Sequence, residues 1–211
     1  MHNAPPDFVY EAAALARGFA CVAGVDEVGR GPLAGPVTAA AVIFGARVPQ
    51  GLGDSKALSA KVRARLAAEI WDCAEVSVAH ASVAEIDALN ILRASHLAME
   101  RAVAKLPRRP DFVLVDGNLL PLGLKDRAQA IIKGDARSLS IAAASIVAKV
   151  ARDAIMVDLA QQHPGYGWEV NAGYPVPAHL TALLNLGVTA WHRRSFKPIH
   201  NLLYQDKNLT P

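Results

Sequence analysis

The chain has 211 residues, of which 52% are hydrophobic and 19% are charged, and its formal net charge is +3. This composition excludes a disordered chain and predicts one sizeable core, and the length is short for two full domains. No uncharged apolar run reaches roughly 18 residues, and residues 1–20 lack the pattern of an export signal, so we expect no membrane span. Two cysteines, Cys21 and Cys73, predict buried thiols in a reducing cytoplasm rather than a disulfide framework.

The first predicted elements are a short helix within residues 1–17 and a β-hairpin that starts at Phe19. The hairpin is indicated by two apolar runs separated by the turn sequence G-R-G-P-L-A-G-P. Residues 58–70 carry apolar side chains four positions apart, which predicts an amphipathic helix, and residues 76–82 are a third candidate strand. A second helix is predicted over residues 83–105, with a break near Asn90.

The second half of the chain alternates short apolar runs with helical patterns. Residues 112–116 and 130–132 predict buried central strands, and residues 138–162 predict the longest helix, capped by Ser138 or Ser140. A loop rich in glycine, proline and aromatic residues follows, and then a helix over residues 177–186 that ends at Gly187. The element order predicts an α/β fold with a mixed sheet flanked by helices and a helical C-terminal extension.

Four acids stand at the ends of separate predicted elements. Asp26 and Glu27 close the first strand, Asp116 closes the strand at 112–116, and Asp135 precedes the longest helix. Each of them could simply begin a solvated turn. Adjacent residues of a regular strand face opposite ways, so Asp26 and Glu27 could share a site only if the strand breaks there, and Gly29–Gly31 would provide that break. Together, carboxylates at several strand ends are typical of a divalent-metal site that catalyses phosphoryl transfer.

Competing motifs are weak. The glycine loop at residues 29–35 is interrupted by Pro32 and leads into a strand, unlike a dinucleotide-binding loop, and residues 51–56 lack the ending of a P-loop. The histidines show no metal-ligand spacing. The C-terminal basic residues could form either a solvated face or a surface for a polyanion; they are Arg193, Arg194, Lys197 and Lys207, with His192 and His200 beside them and Asp206 as the one acid.

Residues 24–37, G-V-D-E-V-G-R-G-P-L-A-G-P-V, resemble the opening motif of the type 2 ribonuclease H family, ribonuclease HII. Further family motifs follow in the same order. They are D-S-K at 54–56, N-I-L-R-A-S at 90–95, V-D-G-N at 115–118, K-G-D at 133–135, S-I-A-A-A-S-I-V-A-K-V-A-R-D at 140–153, N-A-G-Y-P at 171–175 and H-R-R-S-F at 192–196. The resemblance covers about residues 20–198.

The resemblance implies one ribonuclease H-like domain over residues 1–211, with a catalytic core at about 19–165 and a substrate-contacting part at about 166–211. It implies cleavage of the RNA strand of RNA–DNA hybrids and cleavage 5′ to a single ribonucleotide in duplex DNA, leaving 3′-hydroxyl and 5′-phosphate ends. It also implies two Mg²⁺ or Mn²⁺ ions as cofactors. The metal ligands carried over from the family are Asp26, Glu27, Asp116 and Asp135, of which we expect Asp135 to be the most mobile.

The resemblance also implies substrate contacts. Gly29, Arg30 and Gly31 match the loop that contacts the 2′-hydroxyl, which distinguishes RNA from DNA. Tyr174 matches the tyrosine at the RNA–DNA junction. Residues matched to phosphate contacts are Lys56, Ser145 and Lys149. The chain departs from the family pattern at Asn171, Ala172 and Val176, which puts additional phosphate contacts near Tyr174 in doubt, and nothing is assigned beyond Ile199.

Three alternatives remain at this point. Ribonuclease HIII shares the core, but it typically carries an extra N-terminal domain, and only about 20 residues precede the first strand here. A catalytically silent nucleic-acid-binding module would lack one of the four carboxylates. A sugar kinase of related fold would need nucleotide-binding glycine loops. We therefore expect a cytoplasmic, monomeric ribonuclease H whose partners are RNA–DNA hybrids and ribonucleotide-containing duplex DNA, with no membrane association.

Overall fold

The computed structural model describes residues 5–204. The helices are α1 Val9–Ala16, α2 Ala60–Cys73, α3 Val83–Leu89, α4 Ile91–Ala104, α5 Leu139–Gln162, α6 Trp168–Asn171, α7 Pro177–Leu186 and α8 Lys197–Tyr204. The strands are β1 Val22–Val28, β2 Val37–Phe44, β3 Ala74–Ala81, β4 Phe112–Asp116 and β5 Ala128–Ile131. Short 3₁₀ turns cover Leu122–Arg127 and Gly134–Ala136. None of the helices within residues 5–204 is long and apolar enough to cross a membrane.

The five strands form one mixed sheet in the order β3-β2-β1-β4-β5. β1, β2 and β3 run antiparallel as a meander, whereas β4 joins β1 in parallel and β5 joins β4 in parallel. The parallel β1–β4 pair brings the carboxyl ends of two strands to the same edge of the sheet, where loops converge on ligands in α/β folds. The predicted mixed sheet is therefore confirmed.

Helices cover both faces of the sheet. Alternate residues of β2 separate the two layers, with Ala39 and Ala41 packed in the core that includes α4, and Ala40 and Val42 packed against α2 and α5. Small side chains let α5 approach the sheet closely. Gly24 of β1 shows this, because a Cβ there would lie 2.3 Å from the backbone carbon of Ser140. The longest helix is thus fixed directly beneath the strand that carries the first two acids.

The start of α5 is held by the N-terminal helix. Ser138 caps α5 by accepting from the Ile141 N–H at 3.3 Å, which resolves the choice between Ser138 and Ser140. Ser140 instead donates its N–H and hydroxyl to the buried carboxylate of Glu11 at 2.9 and 2.5 Å. This contact ties α1 to the segment that follows Asp135.

The C-terminal helices pack against one end of α5 and the turn after β1. Trp168 and Ile199 are buried there with Leu33, Ala34 and Met156. The backbone confirms the contact, since the Arg193 N–H donates to the Leu33 carbonyl at 2.8 Å and the Gly35 N–H donates to the Trp191 carbonyl at 2.9 Å. The helical extension therefore forms the support for the glycine-rich loop.

Several element predictions are confirmed and two are wrong. The break at Asn90 is present, with φ 69° and a side chain that caps α4, and α7 ends at Gly187 as predicted. β5 is not a buried central strand; it is a partly exposed edge strand, because no strand within residues 5–204 pairs with its outer side. Cys73 is only half-buried, at the end of an amphipathic helix, although Cys21 is buried as predicted. Asp206 and Lys207 lie outside the described residues.

Candidate active site

A cavity of about 580 Å³ opens where β1 and β4 end. It contains every residue that the sequence matched to metal ligands, the 2′-hydroxyl loop, the junction tyrosine and phosphate contacts. Its wall consists of Asp26, Glu27, Val28, Gly29, Arg30, Gly31, Ser55, Lys56, Arg63, Asp116, Asp135, Ser145, Lys149 and Tyr174. Residues from six separate chain segments therefore converge on one space.

Asp26 and Asp116 lie side by side because of the strand register. Val25 pairs with Val115 across the parallel strands, and the next residue on each strand is the acid. Residues in register on neighbouring strands point to the same face. Asp26 is 5% exposed on the face covered by α5, where it receives a hydrogen bond from Ser145. The two carboxylates thus start from adjacent positions on one face.

Glu27 reaches the same cavity without a break in the strand, so the expected need for a break is wrong. β1 stays paired with β2 as far as Val28, while its pairing with β4 stops at Val25. The Glu27 N–H, free of β4, donates to Oδ1 of Asp26 at 2.7 Å. The Glu27 carboxylate accepts from Nη1 of Arg30 at 3.3 Å. Both acids can share a site because they stand beyond the end of the β1–β4 ladder.

Asp135 is brought to the cavity by the 3₁₀ turn after β5. Lys133 adopts a left-handed conformation with φ 55°, which turns the chain back towards β4. The next N–H, that of Gly134, donates to Oδ1 of Asp116 at 2.7 Å. A Cβ at Gly134 would lie 2.6 Å from Cδ1 of Ile141, so a larger residue there would displace that side chain. The turn fixes Asp135 beside Asp116.

The acids destabilise one another in the ionised state. Burial raises the pKa of Asp26 well above its usual value, and the charges of Glu27 and Asp116 raise it further. Burial raises the pKa of Glu27 to about 7, although Arg30 opposes this shift. Burial and the charge of Asp116 also raise the pKa of Asp135. A cation bound among these carboxylates would relieve both the desolvation and the repulsion.

The donor chemistry fits hard divalent cations. Mg²⁺ and Mn²⁺ prefer oxygen ligands, and the cavity offers the carboxylate oxygens of four acidic side chains. One oxygen each of Asp26 and Asp116 already accepts a backbone N–H, which orients the carboxyl groups. Within residues 5–204 no three acidic, histidine or cysteine side chains are already close enough to enclose an ion. The carboxylates that line the cavity therefore fit such cations by ligand type.

The glycine-rich loop and Tyr174 form the other wall of the cavity. Gly29 has φ +96°, and a Cβ there would lie 2.2 Å from Nε of Arg152. A Cβ at Gly31 would lie 3.3 Å from the Tyr174 ring. Gly29 is therefore required by packing within the protein, whereas a Cβ at Gly31 would only press on the Tyr174 ring, against which the loop lies directly.

Asn171, a departure from the family pattern, holds the loop that carries Tyr174. Its carbonyl accepts from the Tyr174 N–H at 2.9 Å, and its side chain accepts from the Gly173 N–H and donates to the Tyr166 carbonyl, both at 2.8 Å. The Tyr174 side chain stays 39% exposed. Asn171 therefore supports the loop that carries the exposed ring.

The basic and hydroxyl side chains that line the cavity differ in whether they already hydrogen-bond to other side chains. Lys56 is exposed, whereas Nζ of Lys149 donates to Asp153 at 2.6 Å and the Ser145 hydroxyl hydrogen-bonds to Ser55 at 2.8 Å. Ser55 and Arg63 also line the cavity, and the sequence did not single them out. Ser55 lies within the D-S-K motif and could have been chosen, but Arg63 is one of two arginines on α2 and had no distinguishing pattern.

The C-terminal basic residues do not form one surface. His192 and Arg193 are fully buried, while Arg194, Lys197 and His200 are exposed. Both alternatives for this segment, a solvated face and a polyanion surface, are therefore wrong for Arg193. The sequence shows Arg193 only as part of a basic run. It does not show that the hydrogen-bond partners of Arg193 are carbonyls more than 150 positions earlier in the chain.

Known proteins resemble this chain along nearly its full length. A family model described as Ribonuclease HII matches residues 23–199. The Ribonuclease HII of Cereibacter sphaeroides (strain KD131 / KCTC 12085) is 70% identical over 207 residues, which is 98% of each chain. The ribonuclease H2 from Pyrococcus horikoshii OT3 has a similar structure, with a TM-score of 0.74 and 25% identity, covering 90% of this chain and all of that one.

A more distant structure, that of Bst-RNase HIII in complex with Mn²⁺, has a TM-score of 0.64 at 21% identity and covers 89% of this chain and 70% of that one. At this identity the likeness shows a common fold. The family match and the 70% identity decide between the alternatives that the sequence motifs had left open. The chain belongs to the ribonuclease HII family of metal-dependent endonucleases, which act on RNA–DNA hybrids.

Proposed function

We propose that this chain cuts the RNA strand of hybrids and also cuts duplex DNA on the 5′ side of a single embedded ribonucleotide. The products carry 3′-hydroxyl and 5′-phosphate ends. The observation that carries the proposal is the composition of the cavity, where four carboxylates face a glycine loop and an exposed tyrosine. The first group suits phosphodiester hydrolysis and the second suits recognition of a ribose, so one cavity joins chemistry to substrate choice.

In this proposal Asp26, Glu27, Asp116 and Asp135 hold two divalent cations, either Mn²⁺ or Mg²⁺. When bound, two such cations supply an activated water and neutralise charge on the leaving 3′ oxygen. The support within the chain is the raised pKa of the buried acids, which a positive charge would reverse. Hydrogen bonds from Glu27 and Gly134 N–H groups orient two of the carboxylates before an ion binds.

The loop at Gly29–Gly31 contacts the 2′-hydroxyl of the ribonucleotide in this proposal. It begins two residues after Glu27, and the side chain of Arg30 hydrogen-bonds to the Glu27 carboxylate. A ribose held by the loop therefore places its neighbouring phosphodiester at the acids. The Tyr174 ring packs beside Gly31 and is partly exposed, which suits a contact with the nucleotide that follows the ribose.

Phosphate contacts are assigned to the free and partly free polar groups of the cavity. Lys56 is an exposed cation there, and Ser145 and Lys149 stand on α5, with Ser145 hydrogen-bonded to the neighbour of Lys56, Ser55. Because phosphate contacts carry no sequence information, we expect this chain to bind duplexes of any sequence. We place this chain in the cytoplasm, as a monomer. Its role there is the removal of ribonucleotides from DNA, because its substrate is a DNA duplex that contains a ribonucleotide.

The test is an end-labelled DNA duplex with one ribonucleotide, incubated with purified protein and Mn²⁺ or Mg²⁺. We expect one product, cut 5′ to the ribonucleotide, and cleavage of a uniform RNA–DNA hybrid in parallel. An all-DNA duplex of the same sequence is the substrate control and should stay intact. Cleavage of the hybrid without cleavage of the single-ribonucleotide duplex would contradict the finer part of the proposal.

A further inference from the structure

Arg193 is a buried cation whose hydrogen bonds within residues 5–204 all go to backbone carbonyls, and its Cζ lies 5.1 Å from the centroid of the Phe196 ring. Its guanidinium donates to Gly35 O at 3.0 Å, Arg30 O at 3.1 Å, Gly29 O at 2.6 Å and Pro36 O at 3.2 Å. Within residues 5–204 it forms no ion pair with a carboxylate, although its side chain is fully buried. Burying a charge is costly unless hydrogen bonds satisfy it, so all four carbonyls are needed to keep it there.

The backbone around Arg193 is also fixed. Its N–H donates to the Leu33 carbonyl at 2.8 Å, and the preceding residue, His192, forms a bridge with Ala34. The Thr189 N–H donates to Nδ1 of His192, and the Gly35 N–H donates to the Trp191 carbonyl. Both contacts hold the residues just before Arg193. The guanidinium therefore projects from a rigid platform, and the loop above it must adapt to the guanidinium rather than the reverse.

The carbonyl contacts decide which side of the loop faces the cavity. A trans peptide holds its C=O and the following N–H antiparallel, and no cis peptide occurs within residues 5–204. The carbonyls of Gly29 and Arg30 are directed towards Arg193, so the N–H groups of Arg30 and Gly31 are directed the opposite way. Both residues line the cavity, and neither N–H donates to another protein group within residues 5–204.

We propose that Arg193 is a positioning residue for ribose specificity: by holding back the Gly29 and Arg30 carbonyls, it presents the Arg30 and Gly31 N–H groups to the 2′-hydroxyl. This inference rests on the proposed function of the loop. A 2′-hydroxyl accepts from such donors, and a deoxyribose offers no oxygen at that place. The planar guanidinium, with its five N–H donors, suits four carbonyls around one point, and an ammonium group has only three donors.

Arg152 provides a matched control. It is equally buried, and it donates to the carbonyls of Ala34, Pro36 and Ala172, of which Pro36 is shared with Arg193. Arg152 packs against Gly29, but it holds neither the Gly29 nor the Arg30 carbonyl, so it does not direct the two N–H groups in question. Lysine at either position removes hydrogen bonds from a buried cation, and a similar fall in thermal stability is expected for both variants.

The experiment compares Arg193→Lys and Arg152→Lys with the unaltered chain. Affinity is measured in metal-free buffer for a duplex with one ribonucleotide and for the all-DNA duplex, and the ratio is the ribose preference. We expect Arg193→Lys to lower this preference and the kcat/KM for the single-ribonucleotide duplex by about 10-fold or more, as for loss of a preorganised donor. Affinity for all-DNA should stay within about 2-fold, since phosphate contacts are untouched. Arg152→Lys should keep the ribose preference.

Equal losses of ribose preference in the two variants would overturn the proposal, and so would a parallel loss of affinity for all-DNA duplex. If Arg193→Lys fails to fold, the unaltered chain still decides. With ¹⁵N-labelled protein, the Arg30 and Gly31 amide signals should shift on adding the single-ribonucleotide duplex and should shift differently with all-DNA. Identical shifts overturn the role of these N–H groups. The proposed function fails separately, when the unaltered chain does not cut the single-ribonucleotide duplex.

Discussion

The two walls of the cavity are built on opposite principles. The wall of acids brings buried carboxylates together, and burial and mutual repulsion raise the pKa values of three of them. The wall formed by the glycine loop is held from beneath by hydrogen bonds, because Arg193 donates to the carbonyls of residues 29, 30, 35 and 36. The first wall is electrostatically incomplete without a cation, whereas the backbone of the second is already held in place before substrate arrives.

This difference matches the tasks that we propose for the two walls. A metal site gains affinity when its ligands repel one another in the absence of the ion, and the cost is lower stability of the metal-free protein. A surface that selects a ribose gains specificity when its donors are fixed in advance, because no ordering is needed on binding. We therefore expect substitutions in the wall of acids to change metal binding and catalysis, and substitutions in the loop wall to change the choice of substrate.

The largest expected effect tests the wall of acids. Asp116→Asn keeps the shape of the side chain and an acceptor for the Gly134 N–H, but it removes a charge from the proposed metal site. Metal stabilisation of the transition state is worth several kcal/mol, so kcat should fall by about 10²–10⁴-fold. The melting temperature without metal should not fall, because repulsion decreases. Near-normal turnover in saturating Mg²⁺ would remove Asp116 from the ligand set.

The second prediction concerns stability and pH in the same wall. Glu27 has a folded-state pKa of about 7, above its usual 4.5, so the folded state binds the proton more tightly than the unfolded state. Its contribution to stability is present below pH 4.5 and is lost as the pH rises through 7. The shift corresponds to roughly 3 kcal/mol in the metal-free protein. Urea unfolding of the unaltered chain and of Glu27→Gln, at pH 5 and pH 8, measures this loss as a difference.

The comparison with Glu27→Gln is needed because other groups titrate in the opposite sense. Burial lowers the pKa of His192 to about 4, so its contribution is lost as the pH falls instead. Subtracting the pH dependence of the free energy of unfolding of Glu27→Gln from that of the unaltered chain leaves the contribution of Glu27. Saturating Mn²⁺ should reverse the sign, with stability rising with pH, because only the ionised carboxylate binds the cation. Identical pH profiles of the two proteins without metal would show that Glu27 is not perturbed.

The third prediction tests the loop wall. Tyr174→Ala removes the exposed ring that packs against Gly31, and aromatic contacts with nucleotides are worth about 1–3 kcal/mol. We expect cleavage of a single-ribonucleotide duplex to fall by roughly 5–150-fold, and cleavage of a long hybrid to fall much less, since a continuous hybrid has no junction. Tyr174→Phe is the control and should keep most activity. Equal losses on both substrates would make Tyr174 a structural residue.

The smallest expected effect concerns Lys56, the exposed lysine that lines the cavity. Lys56→Ala should weaken both substrates about equally, by a few-fold, and should reduce the slope of log affinity against log salt by about 1. Lys105→Ala removes an exposed lysine that does not line the cavity and should leave the slope unchanged. A Lys56 variant with an unaltered salt slope would place that lysine outside the phosphate path.

Local patterns were sufficient for most of the fold. Apolar residues four positions apart predicted α2, and two apolar runs separated by turn residues predicted β1 and β2. The same patterns failed for β5, whose short apolar run predicts a buried strand. Its exposure depends on having a partner on one side only, which is a property of the sheet and not of the segment. The break assumed after Glu27 failed for a similar reason, because it was the end of the β1–β4 ladder that mattered.

The sequence by itself determined which residue types stand at the strand ends and which motifs they belong to, because these are local properties of the chain. It thereby indicated the four acids, the glycine loop and Tyr174. Only the tertiary structure decided what lies beneath them. Arg193 is one of four basic residues in its segment, and its burial depends on carbonyls at positions 29, 30, 35 and 36. Long-range hydrogen bonds to backbone leave no pattern in side-chain type, so the support of the loop became visible only in three dimensions.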